Sequence, residues 1–330
     1  MTYSYKNVYL NETSTVVGKE EAQGALVEYY DKHYDDTYFG TKTFEEAEMK
    51  LVEESANIVL KKAGKKNTDM ELFIGGGLLN QLTNVNFPAV NLNIPFMGIY
   101  NACATSVLGL IIGANFIEAG QNKNCLVCVS SHNKGAERQF RYPVEYGGPK
   151  PDTATYTVTG GASALLSNEA KGVRIESATV GTAVDLGQTD VYHMGAVMTP
   201  AAASTIKQHL TDLNRDISYY DLVLTGDLGV YGKDILTKYM KKVYKINLEN
   251  YNDCGTMIYK EAQQKTILAG GSGPACGPLV VYGKIFKELK EKKLKKVLFV
   301  ATGALHSPTS VNQKLNIPAI AHAISLEVMA

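Results

Sequence analysis

Residues 101–120 read Asn101-Ala-Cys-Ala-Thr-Ser-Val-Leu-Gly-Leu-Ile-Ile-Gly-Ala-Asn-Phe-Ile-Glu-Ala-Gly120 and determine the class of fold. Apolar residues cover nearly the whole circumference of the helix that this segment predicts, which is typical of a helix buried on all sides. Cys103 lies where an extended segment turns into that helix. The helix dipole and the backbone amides at such a turn would stabilise a thiolate, so Cys103 is a candidate site residue. The alternative is a structural cysteine packed in the core.

Helices and strands alternate around this buried helix. Thr43 can cap a helix that ends at Gly64. Residues 71–77 and 125–132 predict short apolar strands, whereas the first 40 residues, rich in tyrosine and acidic groups, predict an irregular lead-in. This alternation predicts an α/β fold with a parallel or mixed sheet, whose functional groups lie where the strands end.

The second half of the chain repeats the first. Val280-Val-Tyr-Gly-Lys-Ile-Phe286 repeats Leu110-Ile-Ile-Gly-Ala-Asn-Phe116, and residues 296–306 repeat the strand that ends at His132. Internal similarity of this kind indicates a duplicated structural unit. We therefore predict two related α/β halves, residues 1–170 and residues 171–330.

The repeat also predicts a pocket. Superposition of Gly113 on Gly283 places Gly273, which lies in the glycine-rich loop 270–277, opposite Cys103. The loop lacks the Gly-Lys-Ser/Thr ending of a nucleotide-binding loop, so its glycines are better suited to close approach of the backbone to a ligand. We expect a ligand site at the junction of the two halves.

Composition excludes several classes of protein. The 330 residues are 45% hydrophobic, which excludes a disordered chain, and 33 basic residues balance 33 acidic ones, so no overall charge attracts nucleic acid. Five cysteines suit a reducing cytoplasm better than a disulfide framework. The amino terminus lacks the pattern of a signal peptide, and polar residues and prolines interrupt the uncharged stretch 72–117. We expect a protein made in the cytoplasm without signal peptide or membrane span.

Several further residues have a functional and a structural interpretation. His132 and His306 end equivalent strands, from which they can reach a shared cleft, although a histidine at a strand end is more often structural. Arg138 and Arg141 belong to a loop of arginines and aromatics, residues 136–148, that suits a planar carboxylate or, equally, an internal ion pair or a dimer contact.

Three other motifs favour the structural interpretation. Cys125 and Cys128 form a C-x-x-C inside an apolar strand with no second pair nearby, which favours core packing over a zinc site. His209 is interpreted as a solvated helix residue. The basic run from Lys284 to Lys296 is typical of a solvated helix face, with a membrane protein or anionic lipid as the alternative contact.

Cys103 lies at the turn before the buried helix, which we call the cysteine elbow. This elbow and the two repeated halves resemble the thiolase and ketoacyl-synthase superfamily over nearly the whole chain. Within that superfamily the sequence is most similar to the stage V sporulation protein AD family of endospore formers. The segments that carry this likeness are Ser130-Ser-His-Asn133, Glu137-Arg-Gln-Phe-Arg-Tyr-Pro-Val-Glu-Tyr-Gly-Gly148, Ile206-Lys-Gln-His-Leu210, Asn252-Asp-Cys-Gly-Thr-Met-Ile-Tyr259 and Val300-Ala-Thr-Gly-Ala-Leu-His-Ser-Pro308.

The resemblance implies a five-layer αβαβα fold, usually in a homodimer. It implies a protein that binds dipicolinic acid, free or as its calcium chelate, and takes part in its uptake into the developing spore. The implied partners are the other stage V sporulation A membrane proteins, and the implied location is peripheral to the spore inner membrane. No cofactor and no nucleic acid are expected.

The resemblance also implies that catalytic groups are depleted. Catalytic relatives pair their cysteine with two further groups that activate the thiol and stabilise the oxyanion. The strand end that carries a histidine in ketoacyl synthases reads Gly226-Asp227-Leu228 here, and the Gly-Asn-Thr loop reads Gly271-Ser272-Gly273. Cys103 is retained, and His306 could replace one missing partner.

The leading hypothesis is therefore a non-catalytic binding protein with no catalytic residue and no resident metal. Its expected ligand-binding residues are Cys103, His132, Arg138, Arg141, Asp227, Gly271, Ser272, Gly273 and His306. One rival is an active acyl transferase or condensing enzyme that uses Cys103 with His132 or His306 as its base. The other is a structural adaptor of a membrane complex whose cleft is vestigial.

Overall fold

The computed structural model describes residues 1–140 and 149–329. Its strands are β1 (Thr2–Ser4), β2 (Tyr9–Val17), β3 (Lys32–His33), β4 (Leu72–Gly76), β5 (Phe96–Gly98), β6 (Asn124–Ser131), β7 (Tyr156–Thr157), β8 (Gly160–Ser167), β9 (Val173–Val180), β10 (Leu222–Thr225), β11 (Tyr251–Asp253), β12 (Gly271–Ser272), β13 (Lys296–Ala304) and β14 (Ala319–Val328). Its helices are α1 (Lys19–Ala22), α2 (Phe44–Ala63), α3 (Thr83–Leu92), α4 (Thr105–Glu118), α5 (Asn133–Phe140), α6 (Met194–Asp212), α7 (Gly229–Tyr239), α8 (Gln264–Ile267), α9 (Cys276–Val280), α10 (Phe286–Lys290) and α11 (Pro308–Asn312). A π-helical stretch, 240–244, continues α7, and another, 281–285, joins α9 to α10.

The main sheet has the strand order β11-β10-β13-β14-β9-β2-β8-β6-β4-β5. The order β11-β10-β13-β14-β9 begins with two parallel pairs and continues with antiparallel neighbours, and the order β5-β4-β6-β8-β2 does the same. These two halves of the sheet meet where the start of β2 pairs with the start of β9. The same order in both halves matches the sequence repeat. The predicted α/β class with a mixed sheet is confirmed. The predicted boundary at residue 170 falls in the turn between β8 and β9, and the division into two units stays a prediction.

Helix α4 occupies the centre of the molecule, as its apolar circumference predicts. It contacts β4, β6 and β8 on one side and β9, β13 and β14 on the other. Helices α2 and α3 cover the outer side of the first half, while α6 and α7 cover the outer side of the second. Helices therefore form the two outer layers and the central layer, and the two halves of the sheet form the layers between them. The apolar core lies around α4.

Local signals at both ends of α2 agree with the structure. The Thr43 hydroxyl accepts a hydrogen bond from the Glu46 backbone N–H at 3.1 Å, and the Glu46 carboxylate accepts one from the Thr43 N–H at 3.2 Å. Gly64 follows the helix with a left-handed φ of 65°, which glycine adopts without steric cost.

The prediction of an irregular lead-in is wrong. Residues 9–17 form β2, a nine-residue strand in the middle of the sheet. Its run of Thr13, Ser14 and Thr15 is fully buried because the hydroxyls find acceptors inside the protein: Thr13 donates to the carbonyl of Tyr282 at 2.8 Å, and Ser14 to that of Ser55 at 2.6 Å. Polar residues whose hydrogen bonds are satisfied in the core concealed the strand from the hydropathy pattern.

The assignment of His209 to a solvated face is also wrong. The ring is buried, with Nδ1 at 2.7 Å from the Thr179 hydroxyl and Nε2 at 2.7 Å from the Tyr220 hydroxyl. Cys125 and Cys128 are buried in β6, as core packing predicts. Among the helices in the described residues, no helix has the length and apolar character needed to span a membrane.

Candidate functional site

The cysteine elbow is held by close contacts from the second half of the chain. Ala102 has a left-handed φ of 48°, which turns the chain sharply before α4. The Asn101 side-chain amide lies 2.7 Å from Nε2 of His322 on β14. Gly303 of β13 packs against the elbow so closely that an added Cβ would lie 2.6 Å from the Asn101 carbonyl oxygen. The position of Cys103 is thus fixed by both halves.

A buried carboxylate lies beneath the cysteine. Asp227 follows β10, and its carboxylate accepts hydrogen bonds from the Ser272 hydroxyl at 2.7 Å, the Gly273 N–H at 3.1 Å and the Thr302 hydroxyl at 2.7 Å. Ser272 Oγ in turn lies 4.0 Å from Cys103 Sγ. The glycine-rich loop therefore faces the cysteine, as the superposition of the two halves predicts.

These surroundings oppose ionisation of the thiol. Burial raises the pKa of Cys103 well above its usual value, and the charge of Asp227 raises it further. Burial also raises the pKa of Asp227, although the hydrogen bonds from Thr302 and Ser272 act in the opposite direction. The expectation that helix dipole and amides stabilise a thiolate is therefore corrected, because desolvation and the neighbouring carboxylate outweigh them.

A cavity opens above the cysteine between the two halves. Its empty space, counting the open solvent at its mouth, is about 820 Å³. Its polar lining comprises Cys103, Glu137, Thr155, Thr157, Ser272 and His306. Its apolar lining includes Leu78, Tyr100, Phe140, Val191, Met194 and Met198. The lining thus combines polar and apolar side chains, as small-molecule sites do.

Six of the residues predicted from sequence come together here. Cys103, Ser272, Gly273 and His306 line the cavity, and Asp227 lies under the loop. Gly271 is buried in β12, where an added Cβ would lie 3.0 Å from Val158, so it shapes the loop from behind. The ring of His306 packs against Phe140 with 5.3 Å between ring centroids.

The structure does not bring His132 to the cavity. Ser131, its neighbour, faces the glycine loop, because an added Cβ on Gly273 would lie 3.0 Å from the Ser131 hydroxyl. Successive side chains along an extended segment point to opposite sides, so His132 points away. Its Nε2 lies 2.8 Å from the Thr37 carbonyl oxygen, its ring stacks on Phe44, and burial lowers its pKa to about 4.

The two predicted arginines have different outcomes. Arg138 forms an ion pair with Glu45 on α2 and lies over the Phe44 ring, outside the cavity lining. The internal ion pair weighed in the sequence thus describes Arg138, because α5 turns its side chain towards α2. Arg141 follows Phe140 directly in the chain and lies outside the described residues.

Sequence reasoning missed Glu137 as a cavity residue. Its carboxylate lines the cavity and accepts a hydrogen bond from Lys150 Nζ at 2.8 Å. Ala136, Glu137 and Phe140 share one face of α5 at helical spacing, so periodicity within the loop motif could have found all three. Tyr100, Met194 and Met198 carried no comparable sequence signal.

Comparison with known structures reveals the same fold in condensing enzymes. The 3-oxoacyl-[acyl-carrier-protein] synthase III from Aquifex aeolicus VF5 is 14% identical, with a TM-score of 0.57 over 99% of this chain and 97% of that one. Cerulenin-bound OleA from Xanthomonas campestris is 15% identical, with a TM-score of 0.62 over 97% of each chain. At these identities the likeness establishes the thiolase-like fold.

Sequence comparison is more specific. The profile of the family described as stage V sporulation protein AD matches residues 2–327. The stage V sporulation protein AD of Bacillus subtilis (strain 168) is 46% identical over 321 residues, which cover 97% of this chain and 94% of that protein. The resemblance inferred from the motifs is confirmed, and this chain belongs to the stage V sporulation protein AD family.

Proposed function

We propose that this protein binds dipicolinic acid, free or as its calcium chelate, in the cavity beside Cys103, and that it takes part in uptake of the acid into the developing spore. On this proposal the protein performs no chemistry on its ligand. The observation that carries the proposal is the buried Asp227 carboxylate, which holds the loop facing Cys103 through two hydrogen bonds and accepts a third from Thr302 on β13.

Acyl transfer requires groups that are engaged otherwise here. A condensing enzyme needs a thiolate and donors for the oxyanion of its intermediate. The raised pKa of Cys103 disfavours the thiolate, and the Ser272 hydroxyl and the Gly273 N–H both donate to Asp227. Donors already bound to a carboxylate are unavailable to a substrate carbonyl, which supports a binding role.

The cavity suits a planar aromatic acid in shape and polarity. Tyr100 and Phe140 offer aromatic surface, and Thr155 and Thr157 offer hydroxyls. Glu137, paired with Lys150, adds a carboxylate to the lining. Because a carboxylate repels a dianion, we expect calcium, which neutralises dipicolinate on chelation, to favour binding.

We further propose a homodimer that lies peripheral to the spore inner membrane and contacts the other stage V sporulation A membrane proteins. Strand β5 is the last strand at one end of the sheet order in the described residues. Phe96 in this strand is 38% exposed, and Phe87 and Val90 on the neighbouring α3 are 61% and 76% exposed. An open edge next to exposed apolar side chains favours pairing with a second copy.

Calorimetric titration with dipicolinate, with and without calcium, tests the proposed function when combined with intact-mass measurement after incubation with acyl-CoA. We expect saturable binding to wild type and to Cys103→Ala, no binding to Cys103→Phe, whose ring would project into the cavity, and no acyl adduct. Arg141→Ala is compared with Arg138→Ala, whose changed side chain lies outside the cavity and which should therefore bind dipicolinate as wild type does. Thermal unfolding of each variant verifies its fold.

Two outcomes would favour the rival functions. A mass increase that disappears in Cys103→Ala would make the protein an acyl transferase. Absence of dipicolinate binding, together with unchanged assembly of Cys103→Phe with its membrane partners, would make it a structural adaptor.

A further inference from the structure

Three helices of this neutral chain end in dense clusters of lysine. Residues 61–66 contain four lysines and no acid, residues 238–245 contain four lysines and no acid, and residues 287–296 contain six lysines and two glutamates. Each segment therefore carries a net charge of +4. The clusters lie at the carboxyl ends of α2, α7 and α10.

The topology places all three clusters on the side opposite the cavity. Helix α2 leads into β4, α7 into β11 and α10 into β13. The cavity lies beyond the carboxyl ends of β4 and β13, since Leu78 follows β4 and His306 follows β13. A helix that precedes a strand ends where that strand begins, so the lysine clusters mark the base of the molecule.

Contacts show that the clusters adjoin one another. The Glu12 carboxylate lies 2.8 Å from Lys290 Nζ and 3.8 Å from Lys62 Nζ, which joins the ends of α10 and α2. Lys296 lies 3.8 Å above the Tyr219 ring, and Lys245 lines a surface depression together with Asp216, Ile217 and Glu249. The ends of α10 and α7 are therefore joined through residues 217–219.

Much of this charge is uncompensated. Glu12, Asp31, Glu169, Asp234, Glu291 and Glu327 pair with lysines of the three segments. Among the described residues, eight exposed lysines have no carboxylate within 4.0 Å of their side-chain Nζ, although the backbone N–H groups of two of them donate to Asp69 and Asp221. The eight are Lys61, Lys66, Lys241, Lys242, Lys245, Lys287, Lys292 and Lys295. We call these eight the basal lysine surface.

We propose that the basal lysine surface docks this protein on a bilayer of anionic phospholipid, with the cavity facing away from the membrane. The inference rests on the proposed function only for the location of the protein at a membrane. Long exposed side chains on three separate helix ends present a broad field, which fits a planar array of headgroups better than a single acidic peptide. Val243, 52% exposed between Lys242 and Tyr244, adds an apolar contact at the same surface.

Vesicle flotation of the full-length protein tests the proposal. We expect binding to vesicles with 30% phosphatidylglycerol in phosphatidylcholine, no binding to pure phosphatidylcholine, and release by 0.5 M salt, because screening shortens the range of the attraction. Each lysine near an anionic surface adds to the attraction, so Lys241→Glu, Lys242→Glu and Lys292→Glu together should lower the partition coefficient at least tenfold.

The matched control changes the same charge on the cavity side. Lys19, Lys42 and Lys134 are exposed there, outside the cavity lining, and their triple change to glutamate should leave vesicle binding within twofold of wild type. Equal loss in both triple variants, or equal binding to neutral vesicles, would overturn the proposal. Binding to polyglutamate but not to vesicles would replace the bilayer with an acidic protein partner.

The two proposals fail separately. Dipicolinate titration of the basal triple variant reports on the cavity alone, and we expect it to match wild type. Loss of vesicle binding with intact ligand binding would therefore be assigned to the basal surface. Absence of ligand binding in wild type would leave the vesicle result unaffected.

Discussion

At the scale of single residues, the chemistry of the site depends on the hydrogen bonds that Asp227 accepts and on its charge. The carboxylate draws the Ser272 hydroxyl and the Gly273 N–H towards itself, and its charge opposes ionisation of Cys103. Gly273 has a φ of 106°, a backbone conformation that residues with a side chain rarely adopt. The loop therefore depends on glycine at this position.

We predict slow alkylation of Cys103 that accelerates when Asp227 is neutralised. Asp227→Asn removes the charge that raises the pKa of the thiol, and each unit of pKa is worth a tenfold change in thiolate fraction below that pKa. The rate of iodoacetamide labelling at pH 8, read by peptide mass, should rise roughly tenfold. Cys103→Ser identifies the labelled site. Labelling of wild type as fast as a free thiol would contradict the prediction.

The sequence located the residues of the second half better than those of α5. The repeat and the superfamily motif led to Asp227, Ser272 and Gly273. His132 was misplaced, because side-chain alternation at the end of β6 sends Ser131 towards the loop instead. Glu137 was missed because residues 136–148 were interpreted as a loop, whereas residues 133–140 form α5.

At the scale of secondary structure elements, the elbow before α4 depends on the close approach of β13. We predict that Gly303→Ala lowers the free energy of unfolding by about 1–3 kcal/mol, since its Cβ would lie 2.6 Å from the Asn101 carbonyl oxygen. Gly135→Ala on α5 is the matched control, because its Cβ would lie 3.6 Å from the nearest atom, on Leu79. Urea unfolding measures both, and equal stability of the two variants would refute the explanation of the elbow.

Helix α6 supplies a prediction about pH. Burial lowers the pKa of His209 to about 4, so between pH 6.5 and 4 the unfolded chain binds a proton that the folded protein excludes. The stability that neutral His209 contributes at pH 7 is therefore lost as the pH falls, by about 2 kcal/mol at pH 5.

His209→Gln isolates this contribution. The variant should be less stable than wild type at pH 7, because the hydrogen bonds to Thr179 and Tyr220 are disturbed, and the difference should shrink by about 2 kcal/mol at pH 5. Urea unfolding at both pH values gives the two differences. His33→Gln, a change at an exposed histidine, should leave the free energy of unfolding unchanged at both pH values. A difference that does not vary with pH would show that His209 is not buried in its neutral form.

Element prediction succeeded where the pattern was local. The capping residues gave both ends of α2, and the apolar circumference of α4 gave its central place. Strand β2 was missed because its buried hydroxyls bond to the carbonyls of Tyr282 and Ser55, partners distant in sequence.

At the scale of the whole molecule, the cavity and the two proposed contact surfaces lie at separate places in the fold. The cavity lies at the strand ends, the basal lysine surface lies at the strand starts, and the open edge of β5 lies at one end of the sheet. The repeat predicted the junction of the halves, whereas the basal lysine surface arises from three segments that meet only in the fold.

We predict a homodimer through the edge of β5. Light scattering after gel filtration should give twice the 35.9 kDa mass of the chain, and Phe87→Glu with Val90→Glu should give the monomer, because charges replace apolar side chains beside that edge. Val243→Glu, an exposed apolar residue away from β5, is the matched control. A dimer that survives the double change would place the interface elsewhere.

The central claim is that a ligand occupies the cavity beside Cys103, and protection of that thiol tests it most directly. The alkylation rate of Cys103 is measured at increasing dipicolinate concentration, with and without calcium, and compared with the concentration dependence from calorimetry. The account predicts saturable protection that follows the calorimetric binding curve, since the thiol lines the cavity. An alkylation rate that stays constant while calorimetry records binding would contradict it, because the ligand would then occupy a different site.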